Sequence, residues 1–283
     1  MKQVVKLQTL RPSKIIAIKY AREILALVIK MIRDYHEIVT TYREKKYQIA
    51  GDSPTWLTTE IEARLKSLGS EWEQRFKEFA ESKSPEFVNK ILRQSDLQIK
   101  SALKNYMSAE SFTLFGDSLS TQVKQIVKAN IAENVALIKS IQSQYSERIS
   151  GDVYRAITGR GTLKDLIRTI KSGGNITMRR AKLIAGDQTR KVFTTITSAK
   201  LNQYGVTQYE WVHTNAGKTY RDYHKRKWDG HSGLRNGHPN GLNGFIFDIN
   251  RPPIINEKTG ERGLPAQLPF CHCVMRPVLV LKK

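Results

Sequence analysis

The chain has 283 residues, room for one large or two modest domains, and sets 47 lysines and arginines against 26 acidic residues for a formal net charge of +21. Such a chain attracts polyanions, while a hydrophobic content of 40% spread along its length excludes a disordered or low-complexity protein. The longest uncharged apolar run, Ile24 to Ile29, falls far short of the ~20 residues of a membrane span, so no membrane partner is expected.

Met1 to Leu10 has neither a long apolar stretch nor a small-residue cleavage site, so no secretory signal is read there. The only cysteines, Cys271 and Cys273, stand too close together for a disulfide framework. Together these features point to a protein made and used in a cytoplasm, with thiols that are free or ligate metal.

Taken in chain order, Ile15, Ile16, Ile18, Ile24, Leu25, Val28 and Met31 recur at helical spacing behind Pro12 and predict a helix from Ser13 to about Met31. Trp56, Leu57, Ile61, Leu65, Leu68, Trp72, Phe76 and Phe79 step by three and four, the seam of a helix packed along another. Ser84 and Pro85 read as the N-cap and first position of a further helix through Phe87, Ile91, Ile99 and Leu103. Another starts at Gly116 and Asp117 and carries Val123, Ile126, Val135, Ile138 and Ile141.

Residues 1–150 are thus expected to form a helical docking domain. Gly151, Gly159, Gly161, Gly173 and Gly174 surround the short helical pattern Leu163 to Ile170 and suggest a hinge. A helix from Met178 to Asn202 follows. Tyr209–Val212, Phe245–Phe247 and Val278–Val280 are strand candidates around a loop rich in glycine, asparagine and histidine at residues 215–244. The expected class is α+β, a long-helix N-terminal half followed by a small α+β domain at residues 151–283.

That second half holds 23 basic and 9 acidic side chains, so the charge excess is concentrated there. Arg179, Arg180, Arg190, Lys191, Lys225, Arg226 and Lys227, the last beside Trp228, are the candidate phosphate contacts for nonspecific binding of double-stranded DNA. A solvated basic face is the plainer reading of the same residues.

Five of the six histidines, His213, His224, His231, His238 and His272, share this half with both cysteines. Two cysteines at i and i+2 on extended chain point to one side, as shared zinc ligands must. The candidate set is Cys271 and Cys273 with His224 and with His238 or His231. Simple packing of the thiols in a small core is the alternative. His231, His238, Asn240 and Asn243 also suggest a metal-dependent DNA nuclease of histidine–asparagine–histidine type, although no adjacent Asp-His pair accompanies them. The chain has no phosphate-binding loop, nucleophile elbow or dinucleotide fingerprint.

Several pieces follow one another in order: Asn134 to Ile141, Ala181 to Thr189 as an Ala-x-x-Ile-Ala-x-Asp-Gln-Thr element, Tyr209-Glu210-Trp211, Arg221-Asp222-Tyr223-His224 and Pro269-Phe270-Cys271-His272-Cys273. The ordered set, in a span from about Asn130 to Pro277, resembles the phage head-morphogenesis family, the minor head proteins similar to protein F of phage Mu. The chain departs from the pattern at Asn215-Ala216-Gly217, where an acidic residue is usual, and at His272, where arginine is usual.

The resemblance implies a non-enzymatic minor head protein acting in procapsid assembly. It would meet the portal and the capsid or scaffolding proteins and touch packaged DNA in the virion head, after manufacture in the host cytoplasm. Only Val274 to Lys283 follow the last element, which leaves no expected room for an appended enzyme.

Overall fold

A computed structural model describes residues 2–48, 55–108, 111, 119–157, 163–216, 221–226 and 241–282 of the chain. The fold is α+β, with long helices followed by short antiparallel strands. The helices are α1 (Lys14–Gln48), α2 (Thr55–Leu103), α3 (Thr121–Ile157), α4 (Leu163–Gln203) and the single turn α5 (Asp222–Lys225). The strands are β1 (Lys2–Lys6), β2 (Gln208–Val212), β3 (Ile246–Asp248), β4 (Ile254–Asn256), β5 (Glu261–Arg262) and β6 (Val274–Lys282). No described helix is long and apolar enough to cross a membrane.

The chain forms two compact units, and each long helix contributes residues to both. The first comprises residues 1–17, 86–131 and 187–283, and contains every strand; the second comprises residues 18–85 and 132–186.

In the second unit, the expected helical stripe is the core. Ile61, Leu65, Leu68, Trp72 and Phe76 are buried with Ile24, Val28, Met31 and Tyr35 of α1 and Ile138, Ile141 and Tyr145 of α3. Polar groups in this interior are paired. Asn134 Nδ2 donates to the Tyr20 hydroxyl at 2.7 Å, Gln142 Nε2 donates to the Gly69 carbonyl at 2.9 Å, and the Tyr35 and Ser146 hydroxyls lie 2.8 Å apart.

One expected break is absent. Ser84 and Pro85 do not open a helix, because α2 runs through them. An internal proline costs about 3 kcal/mol, but Phe76, Ala80, Phe87, Val88 and Ile91 carry the buried stripe across it, at about 1.5–3 kcal/mol for each large side chain. Packing therefore outweighs the local penalty.

Of the glycines expected to form a hinge, Gly151 lies in α3 and Gly173 and Gly174 lie within α4, so these three do not break a helix. Gly159 and Gly161 fall outside the described residues. A Cβ on Gly174 would stand 3.0 Å from the Ile32 side chain, and one on Gly173 would stand 3.2 Å from that of Arg148. These glycines serve close helix approach rather than a turn.

In the first unit, four strands form an antiparallel sheet of order β1-β6-β2-β3, and β4 and β5 form a separate pair. The strand candidates near Tyr209, Phe245 and Val278 correspond to β2, β3 and β6, whereas β1 has no counterpart in the sequence reading. The buried carboxylate of Glu210 on β2 accepts from Lys6 Nζ of β1 at 2.9 Å and pairs with Arg276 Nη1 of β6 at 3.0 Å, tying three strands together. Tyr209, Trp211, Phe247, Met275 and Val278 of the sheet are buried, as are Val192, Phe193 and Ile196 of α4. Lys200, 1% exposed, is neutralised by Asp96 at 2.9 Å.

The glycine account makes a paired prediction. Gly174→Val should destabilise the protein by about 1–3 kcal/mol through overpacking. Gly151→Ala, whose new Cβ would meet only the Arg155 side chain at 3.8 Å, should be neutral or stabilise by up to about 1 kcal/mol. Urea titration followed by circular dichroism measures both, and equal losses would contradict the close-approach role of Gly174.

Candidate metal centre

All the parts of this site belong to the first unit. His224 sits in the single turn α5, which closes with the His224 amide donating to the Arg221 carbonyl at 3.0 Å. That turn is fixed by the segment beginning at Gly241. The Leu242 amide donates to the Tyr223 carbonyl at 3.1 Å and the Asn243 amide to the Arg226 carbonyl at 3.2 Å. Gly241 itself lies so close to the Arg226 carbonyl that a Cβ would not fit.

The His224 ring, 2% exposed, meets Trp211 of β2 edge to face with centroids 5.1 Å apart. Its Nε2 lies 2.8 Å from the carbonyl oxygen of Ile255 on β4. A carbonyl only accepts, so Nε2 carries a proton there, which leaves Nδ1 as the atom that a metal would take.

His224 Nδ1 faces both thiols, with Cys271 Sγ at 3.5 Å and Cys273 Sγ at 3.9 Å. Among the described residues, His224, Cys271 and Cys273 form a group able to hold a metal ion, with ligand atoms all within 4.8 Å of one another and all three residues buried.

The cysteines arrive on a tight turn rather than a plain strand. Phe270 has φ 60°, the left-handed region that a bulky residue avoids unless its surroundings hold it there. Here they do. The Asp187 carboxylate of α4 accepts from the Phe270 amide at 3.2 Å and also pairs with Arg190. The Arg221 guanidinium donates to the Pro269 carbonyl at 3.3 and 3.4 Å, the Cys271 amide donates to the Leu268 carbonyl at 3.1 Å, and the Thr214 hydroxyl donates to the His272 carbonyl at 2.9 Å.

The thiols share charge. A hydrogen bond from Cys273 holds Cys271 far below the ordinary thiol range, to about 4, against the opposing effect of burial. Cys273 is correspondingly pushed up. Burial lowers His213 and His272, which favours neutral imidazoles beside the thiols. Cysteine sulfur and imidazole nitrogen held together by buried residues are the donors that a soft or borderline cation takes.

Of the four ligands expected from the sequence, the structure thus brings together His224, Cys271 and Cys273; His238 and its alternative His231 lie outside the described residues. His213 enters instead, with Nδ1 3.5 Å from Cys273 Sγ. It was counted among the clustered histidines but not placed in the ligand set. A usable signal would have been strand register, since β2 and β6 pair with Val212 opposite Val274.

Of the nuclease candidates, His231, His238 and Asn240 are outside the described residues, and the Asn243 side chain accepts from the His213 amide at 3.0 Å. Of the candidate phosphate contacts, Arg179 and Arg180 belong to the second unit and Arg190, Lys191, Lys225 and Arg226 to the first. Arg179, Lys225 and Arg226 are exposed and Lys191 is half-buried. Arg180 donates to the Ser140 hydroxyl at 2.9 Å, Arg190 is paired with Asp187, and Lys227 is outside the described residues.

No family model and no solved structure matches the chain. A protein of Haemophilus influenzae, named only as uncharacterized, is 30% identical to it over 201 residues, which is 71% of this chain and 39% of that protein. The chain therefore spans about two fifths of that relative's length.

Asp187 is the residue that converts this arrangement into a prediction. Asp187→Ala removes the acceptor for a strained amide and the partner of Arg190, which should cost about 1–3 kcal/mol. It should also speed the reaction of metal-free Cys271 and Cys273 with a thiol reagent. Unchanged denaturation and unchanged thiol reactivity would show that the turn does not depend on Asp187.

Proposed function

We propose that this chain is a non-enzymatic minor head protein of a tailed bacteriophage, and that a zinc ion held by His224, Cys271 and Cys273 fastens the loop-rich part of its sheet-bearing unit. One observation carries the reading. Asp187, Trp211, Arg221, His224, Cys271 and Cys273 are elements of the resemblance to the head-morphogenesis family, and they meet around one buried cluster. Residues scattered along a chain that converge this way are explained by a common structural task.

Burial of all three ligands, rather than their number, favours a structural over a catalytic ion. A structural zinc site is closed by protein ligands, whereas a catalytic one keeps a position open to water or substrate. The three ligands are buried, and the polar groups nearest them hold backbone. In this reading the long helices dock against portal, capsid or scaffolding proteins, and the basic surface contacts packaged DNA.

Procapsids purified before DNA packaging, and heads freed of tails, should contain the chain by mass spectrometry. Procapsids that lack it despite its expression would overturn the assignment to the head. The zinc part has its own test. Protein purified without chelator or affinity metal should hold about one equivalent of zinc and melt at lower temperature once a chelator removes it, since structural zinc contributes about 10–16 kcal/mol of binding free energy. Less than about a tenth of an equivalent, with unchanged melting, would leave packing as the role of the thiols.

A further inference from the structure

We infer that His213 is the fourth ligand, making the centre a closed site of two cysteines and two histidines. This inference rests on the zinc reading above and adds to it the residue that closes the coordination sphere.

Register is the first argument. Strands β2 and β6 pair antiparallel, with Trp211 opposite Met275 and Val212 opposite Val274. Continuing that ladder by one residue sets His213 opposite Cys273, and by two sets Thr214 opposite His272. The Thr214 hydroxyl does bond the His272 carbonyl, at 2.9 Å. Directly opposed residues hold their side chains close together, so the paired strand ends carry the imidazole to the thiol.

Distance is the second. Zinc–sulfur bonds of about 2.3 Å and zinc–nitrogen bonds of about 2.0–2.1 Å at tetrahedral angles put sulfur and nitrogen about 3.6 Å apart. The three sulfur–nitrogen contacts are 3.5 Å for His224 with Cys271, 3.9 Å for His224 with Cys273, and 3.5 Å for His213 with Cys273. These three distances are close to that edge; the group with all ligand atoms within 4.8 Å of one another is His224, Cys271 and Cys273, so His213, already at Cys273, has to turn toward Cys271 to close the sphere.

Support from behind is the third. The His213 backbone is pinned by Asn243, whose side-chain oxygen accepts from its amide at 3.0 Å. Asn243 is in turn tied to Arg226, just beyond the turn that carries His224. The two histidines are thereby linked through one short segment; His224 presents Nδ1 to both thiols and His213 presents Nδ1 to Cys273.

Replacing zinc by cobalt(II) in the full-length protein gives each ligand an optical signature. The wild-type chain should show strong visible bands of four-coordinate cobalt together with thiolate-to-cobalt charge transfer. His213→Ala should weaken the visible bands and lower metal affinity at least about tenfold, the loss typical of even an outer partner of a ligand. His213→Cys should restore four-coordination and raise the thiolate charge transfer by about half, a gain that a merely structural role for His213 would not produce. His238→Ala should leave spectrum and affinity unchanged.

Failure of the two readings is distinguishable. A wild-type chain that takes up neither cobalt nor zinc removes the zinc reading and this one with it. Normal cobalt binding that His213→Ala leaves intact, or that His238→Ala abolishes, overturns His213 alone.

Discussion

The hydrogen bond between His224 Nε2 and the Ile255 carbonyl is the constraint on which the site depends. It holds a proton on Nε2, fixes the plane of a buried ring and turns Nδ1 toward two thiols. Without it, the ring would be free to turn Nδ1 away from the sulfurs. The acceptor comes from β4, whose partner β5 completes a two-stranded pair outside the main sheet. A small peripheral strand therefore sets the chemistry of residues dozens of positions away.

Around that bond, the unit solves a problem of composition. Among the described residues, the stretch between β2 and β6 has short strands and one helical turn, so little of its stability comes from regular structure. Cross-links between side chain and backbone take that place. Asp187 and Arg221 hold the Pro269–Phe270 turn, Thr214 holds His272, and Asn243 holds His213. Each contributes on the order of 1 kcal/mol, whereas a structural zinc would contribute about ten times as much, which is why the cluster dominates the account.

Much of this was legible in the sequence, for reasons that differ by element. The stripe from Ile61 to Phe76 repeats over several turns, and every buried position in it follows from the helical period. The cysteine pair and His224 were legible as donors because so few residue types bind zinc. β1 was not, because Lys2–Lys6 is short and alternates charge at its ends, and its partner β6 is at the other end of the chain. Pro85 and Gly174 misled for a shared reason: both are local breakers in isolation, and tertiary packing against Ile32 or along the buried stripe of α2 reverses their meaning. His213 needed the β2–β6 register, which no local pattern encodes.

The most direct test of the account is X-ray absorption at the zinc edge on the purified full-length chain. The account expects a first shell of two sulfurs at about 2.3 Å and two imidazole nitrogens at about 2.0–2.1 Å, with no oxygen from water. A shell of nitrogen and oxygen alone would place any bound zinc elsewhere on the protein and contradict the site built from His213, His224, Cys271 and Cys273.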